Sequence, residues 1–185
     1  MTAERVCFAL VYMAEAMMAW LYFERLFYKN KSTGTVLSCI LTAHCALFAL
    51  SFAGSLALNA SGFFLVNLIL LTILYQCSIK TALFHSAFMS FMMIGAEVVV
   101  SLLLSSVGSS FGGQSNNFTV YTHSLSVMVT LSAGSKLLYF LGIMLSARIS
   151  RPHKDEYADA HFTILLCSLP LASMFVAATI VFVGM

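Results

Sequence analysis

Residues 82–107 form a run of about 26 almost wholly apolar residues, broken near its middle by one carboxylate, Glu97. A segment this long and continuous is read as a membrane-crossing helix, and a charge inside it must have a partner or a function. The rest of the chain has the same character: 61% of its residues are hydrophobic, 9% are charged and the mean hydropathy is +0.96. A domain of 185 residues could not bury so much apolar sequence around one soluble core. In hydrocarbon the backbone groups must be satisfied within the element itself. The runs are too long and continuous for the alternating strands of a barrel, so the spans are helices.

The expected fold is an all-α membrane protein, a single domain built as a polytopic bundle of about six transmembrane helices, at 6–27, 36–58, 62–77, 82–107, 120–147 and 162–183. The third is the shortest: its 16 residues reach only about 24 Å at ~1.5 Å per residue, which leaves a re-entrant segment as an alternative. Lysine and arginine positions orient the bundle. With the amino terminus outside, Arg25, Lys29, Lys31, Lys80, Arg148, Arg151 and Lys154 all fall on the inner side and Arg5 alone falls outside. The first span is expected to be retained rather than cleaved, because residues 1–5 have no net side-chain charge and the apolar run continues to Phe23. Basic residues are dispersed at the ends of apolar runs and not clustered on one face, so the net charge of +2 does not point to nucleic acid, and no such partner is expected.

Neither metal nor thiol chemistry is indicated. Cys7, Cys39, Cys45, Cys77 and Cys167 lie in or at the ends of apolar runs, without a C-x-x-C pair. His44 and Cys45 adjoin, but neighbours on a helix point about 100° apart and cannot act as base and nucleophile for each other. No metal site and no cofactor are expected.

Three intramembrane charges remain: Glu15, Glu97 and Lys136. With the amino terminus outside, Glu97 and Glu15 sit roughly 15 and 13 Å below the outer edge and Lys136 roughly 18 to 24 Å down. The lysine stem can cover several ångströms of that difference. Lys136 is therefore expected to pair with Glu97, and Glu15 is within range of the same ammonium. Such a pair serves either helix register or ligand recognition and signal relay. Asn67, His44 and His85 are expected to make interhelical hydrogen bonds, with Asn67 kept as a candidate ligand or relay residue. Ala49, Ala53 and Ala57, with Gly54, suggest a close-packing face on the second span. The uncharged outer loop at 108–119 could fold over a hydrophobic ligand, and Tyr121 and His123 follow at the helix mouth as further candidate ligand residues. Pro170 is expected to kink the sixth span.

Several segments share a pattern. They are Ser78-Ile79-Lys80-Thr81-Ala82-Leu83, the later Gly95-Ala96-Glu97-Val98, the stretch from Gly134 to Phe140 that contains Lys136, and Leu169-Pro170-Leu171. Together they resemble the membrane half of accessory-gene-regulator-type bacterial sensor histidine kinases, whose cytosolic half is a GHKL-type ATPase. The resemblance implies a homodimeric receptor in the bacterial plasma membrane, in quorum sensing or a related two-component system. Its ligand would be a small extracellular molecule, often a peptide pheromone, and its signal would pass to a cytosolic kinase domain if the chain continues beyond Met185. No phosphoacceptor or ATP-binding motif occurs in these residues, so the chain is not expected to be an enzyme itself. The alternative is a small six-helix transporter or substrate-capture subunit.

Overall fold

A computed structural model describes residues 3–111 and 125–149 as five helices, with no strand among the described residues. They are α1 (Ala3–Leu26), α2 (Thr33–Ser51), α3 (Leu56–Leu74), α4 (Ile79–Phe111) and α5 (Leu125–Ile149). Four contain segments long and apolar enough to cross a membrane: Arg5–Leu26, Thr33–Ser51, Ile79–Leu103 and Val129–Arg148. The apolar stretch of α3, Leu58–Leu74, is shorter. The expected sixth span, with Pro170, lies outside the described residues, as does the start of the fifth.

Serine hydroxyls set the starts of three helices. Ser32 accepts from the Thr35 amide at 3.3 Å, Ser55 from Leu58 at 3.3 Å and Ser78 from Thr81 at 3.2 Å. Each satisfies one of the amides that a helix start leaves unpaired, and in a membrane such a group is costly to leave open.

Two boundaries differ from the sequence reading. The second span was expected to run to residue 58, but α2 stops at Ser51, and Gly54 takes φ 67° in the turn that follows. That left-handed conformation suits glycine, and Ser55 then caps α3 at once. Ala49, Ala53 and Ala57 thus fall on α2, a turn and α3, and do not form one packing face. Helix α3 starts at 56 instead of 62 and ends at 74 instead of 77: at 19 residues it is about 28 Å long, close to the ~30 Å hydrocarbon core. At the other end, α4 continues to Phe111, through the first residues of the expected outer loop.

The helices close into a ring in chain order, α1 packing on α2 and α5, α3 on α2 and α4, and α4 on α5. Each turns one narrow stripe inward: Tyr12, Glu15, Ala19 and Tyr22 on α1, Val36, Ile40, His44 and Leu47 on α2, and Lys136, Tyr139, Ile143 and Ala147 on α5. These spacings of three and four residues are one helical face. Outward positions such as Leu137, Leu141 and Leu145 are equally apolar, as expected where the surroundings are lipid. At one end the α1–α2 and α3–α4 connections join. The Asn30 amide donates to the Leu74 carbonyl and the Gln76 amide to the Tyr28 carbonyl, both at 2.8 Å. Arg25, Lys29, Lys31, Lys80 and Arg148 all belong to this end, while Arg5 lies at the opposite one, its guanidinium 5.7 Å from the ring centre of Phe52.

Candidate functional site

The intramembrane charges meet. Lys136 Nζ on α5 lies 2.7 Å from Glu97 Oε1 on α4 and 2.7 Å from Glu15 Oε1 on α1. One ammonium therefore ties three helices together, and the expected pair is a triad.

Backbone spacing makes room for it. Helices α4 and α5 are antiparallel, with Gly134 against Val100 and Gly142 against Met92. A Cβ at Gly134 would lie 3.2 Å from Val100 Cγ1, and one at Gly142 would run into Met92 Cε. The two glycines thus let α5 approach α4 closely on either side of Lys136. On α1, Glu15 shares the inward stripe with Tyr12, Ala16 and Ala19, and this points its carboxylate into the ring.

The two carboxylates are not equivalent. Glu15 is sealed, its side chain 5% accessible, whereas 42% of the Glu97 side chain is accessible at the α4 surface. With all three groups ionised the triad carries a net charge of −1. Removing ions from water costs several kcal/mol each, and attraction offsets this only with good geometry. At 2.7 Å both contacts are short, charge-assisted hydrogen bonds. Glu15 is thus a fixed anchor for Lys136, and Glu97 is the arm that a group from outside the ring could reach.

The other candidates fall elsewhere. Asn67 is fully buried, but its Nδ2 donates to the Phe63 carbonyl of its own helix at 2.9 Å. His44 Nδ1 likewise meets the Ile40 carbonyl at 3.0 Å. The interhelical role expected of both is therefore not the one they adopt. Their remaining polar atoms, Asn67 Oδ1 and His44 Nε2, are buried without a partner. His85 does bridge helices, with Nδ1 2.8 Å from the Tyr22 hydroxyl. Its ring stands edge-on to Phe27 and Phe84. Tyr121 and His123 lie outside the described residues. Sequence reasoning did not single out Tyr139, which follows Lys136 by one helical turn and is fully buried with its hydroxyl unpartnered. Its position three residues from an intramembrane lysine was the available signal.

No group of three or more His, Cys, Asp or Glu able to hold a metal occurs among the described residues. An open groove of about 430 Å³ runs between α3 and α4, lined by Ala60, Ser61, Phe64, Leu65, Ala87, Ser90 and Phe91, none of them charged. No family model, curated protein or solved structure matches this chain.

Proposed function

We propose that this chain is the membrane sensor region of a receptor for a small extracellular ligand, a peptide pheromone being one such class. In this reading the bundle has six spans and its amino terminus faces outward in a bacterial plasma membrane. It works as a dimer and passes a change in helix packing to a cytosolic kinase. The observation that carries the reading is the triad: one lysine holds a sealed carboxylate on α1 and an accessible one on α4. Such an arrangement has two natural packings, with the Glu97 contact closed or open, while Lys136 stays on Glu15. A ligand biases them only through its different affinity for each. The residue pattern shared with accessory-gene-regulator-type sensors supports the same reading, as does the gathering of basic residues at one end of the bundle.

The test is a distance measurement. Spin labels at Ser101 on α4 and Val129 on α5, in lipid nanodiscs, are compared before and after adding the peptide fraction of spent medium from the source organism. A shifted distance distribution in the parent protein, lost in Lys136→Met, is the expected result. Unchanged distributions in the parent protein would remove the proposal. The transporter alternative calls for a polar pocket at mid-membrane. The α3–α4 groove is apolar and contains none of Glu15, Asn67, Glu97 and Lys136.

A further inference from the structure

Lys136 is outnumbered in the triad. It faces two carboxylates, so with all three groups ionised one negative charge is left uncompensated. That charge falls to the carboxylate that can be reached: Glu15 is sealed against Lys136, while 42% of the Glu97 side chain is accessible. The apolar span of α4 is Ile79–Leu103. Glu97 lies six residues inside its Leu103 end, at a depth of about 9 Å. What covers an accessible side chain at that depth is lipid or another helix. Ionisable groups are costly there, and they pair with an opposite charge.

The same flank of α4 carries a groove. Ser90 lines the groove between α3 and α4, and Glu97 follows it by seven residues, on the same helical face and about 10 Å further on. The lining sets small residues, Ala60, Ser61, Ala87 and Ser90, beside the rings of Phe64 and Phe91. In hydrocarbon, small residues allow a second helix to approach closely. Groove and carboxylate thus form one continuous surface, an apolar bed with a negative charge about two turns along it.

We propose that this face of α3 and α4 docks a transmembrane helix of another protein, one that carries a lysine or arginine at the depth of Glu97. Its cation pairs with Glu97 and brings the triad to neutrality, while the body of the helix lies in the groove. Charge selects this occupant. A second copy of the chain brings no suitable cation, since Lys136 alone of its lysines and arginines lies well inside an apolar run, and two carboxylates already hold it. Arg5 stands at the end of the α1 span with its guanidinium over the Phe52 ring. An uncharged span would fill the groove and leave the excess charge where it is. The inference goes beyond the receptor reading and does not depend on it.

The experiment uses the full chain in phosphatidylcholine vesicles with a synthetic probe, a leucine–alanine helix of about 20 residues. The probe carries one lysine placed at the depth of Glu97, and association is read as energy transfer between fluorophores on chain and probe. The parent chain is expected to bind it about tenfold more tightly than the same helix with leucine at that position. Glu97→Gln should remove the preference and Glu97→Asp should keep it. Ala87→Phe, which fills the groove and leaves the triad untouched, should weaken binding of both probes. Parent-like melting curves establish that the variants are folded. Equal binding of the two probes to the parent chain overturns the proposal, with no variant needed. So does a folded Glu97→Gln protein that still prefers the lysine probe, or an Ala87→Phe protein that binds both as the parent does. Energy transfer between two labelled copies of the chain, lost in Ala87→Phe, would assign the groove to self-association and overturn it as well.

Discussion

Replacing Lys136 by Met tests the energetic logic of the triad directly. Methionine fills nearly the same volume, so the change removes a charge and two hydrogen bonds without opening a cavity. Glu15 is then a carboxylate, 5% accessible, without a counter-ion. An ionised carboxylate stranded in that setting is far more costly than a neutral one, so the group takes up a proton. Starting from an ordinary pKa near 4.3, protonating a glutamate at pH 7 costs about 3.7 kcal/mol, and that figure caps the loss from Glu15. It falls within the ~3–5 kcal/mol seen when one partner of a buried pair is removed. Glu97, at 42% accessibility, is left out of the sum. The sign of the pH dependence follows. Between pH 5 and 7 the folded variant holds one proton more than its unfolded form, so its stability falls as pH rises, by ~1.4 kcal/mol per unit. In the parent protein the Lys136 ammonium favours the ionised form of Glu15 and so opposes this slope. Unfolding free energies in mixed micelles at pH 5, 6 and 7 should therefore show the gap between parent and variant narrowing by up to about 2.7 kcal/mol from pH 7 to pH 5. A gap below ~1 kcal/mol at pH 7, or one that does not change with pH, would refute the buried-anchor role of Glu15.

Other consequences are local. Gly54→Val should cost about 1–2 kcal/mol, because φ 67° is strained for a side chain, whereas Gly54→Asn should cost less; thermal melts of the two distinguish them. Tyr12→Phe deletes the 2.9 Å bond to Asn59 that links α1 to α3 and should lower stability by about 0.5–1.5 kcal/mol in the same assay. In the loop after α3, burial pushes the Cys77 thiol above its usual range. With the other cysteines replaced by serine, alkylation of Cys77 should reach half its maximal rate above pH ~8.5, against the ordinary value for a model thiol. Gly142→Ala should be relieved by a turn of the flexible Met92 side chain and leave the Lys136–Glu97 contact in place, read as an unchanged spin-label distance between Ser101 and Val129.

The helices of this chain were legible because hydrocarbon imposes a simple demand, long apolar runs with internally satisfied backbones, and 82–107 meets it on sight. Boundaries were harder wherever apolar character continued through a turn. Nothing in the hydropathy of 52–58 reveals that Gly54 leaves the helix and Ser55 starts another, since Phe52, Ala53, Leu56 and Ala57 are as apolar as the residues around them. The cap pattern was visible only at the level of single hydroxyls, in Ser32 with Thr35 and Ser78 with Thr81.

The site followed a different rule. Charges are so rare in these spans that depth alone was enough to bring Lys136 to Glu97, and Glu15 into range. What depth could not supply was azimuth, the direction each side chain faces around its helix. In a membrane bundle both faces of a helix are apolar, so the inward stripe carries little compositional contrast. Leu141 faces outward and Ile143 faces inward, with no difference in polarity that a hydropathy pattern would record. That is why Asn67, a polar residue in mid-span, could be expected to cross to a neighbour and instead turns back to Phe63. It is also why Tyr139 and the Tyr22–His85 bridge emerged only with the ring closed. The charged residue supplies the missing phase. Once Lys136 is known to point inward, residues three, seven and eleven positions later, Tyr139, Ile143 and Ala147, must do so too, and all three are fully buried.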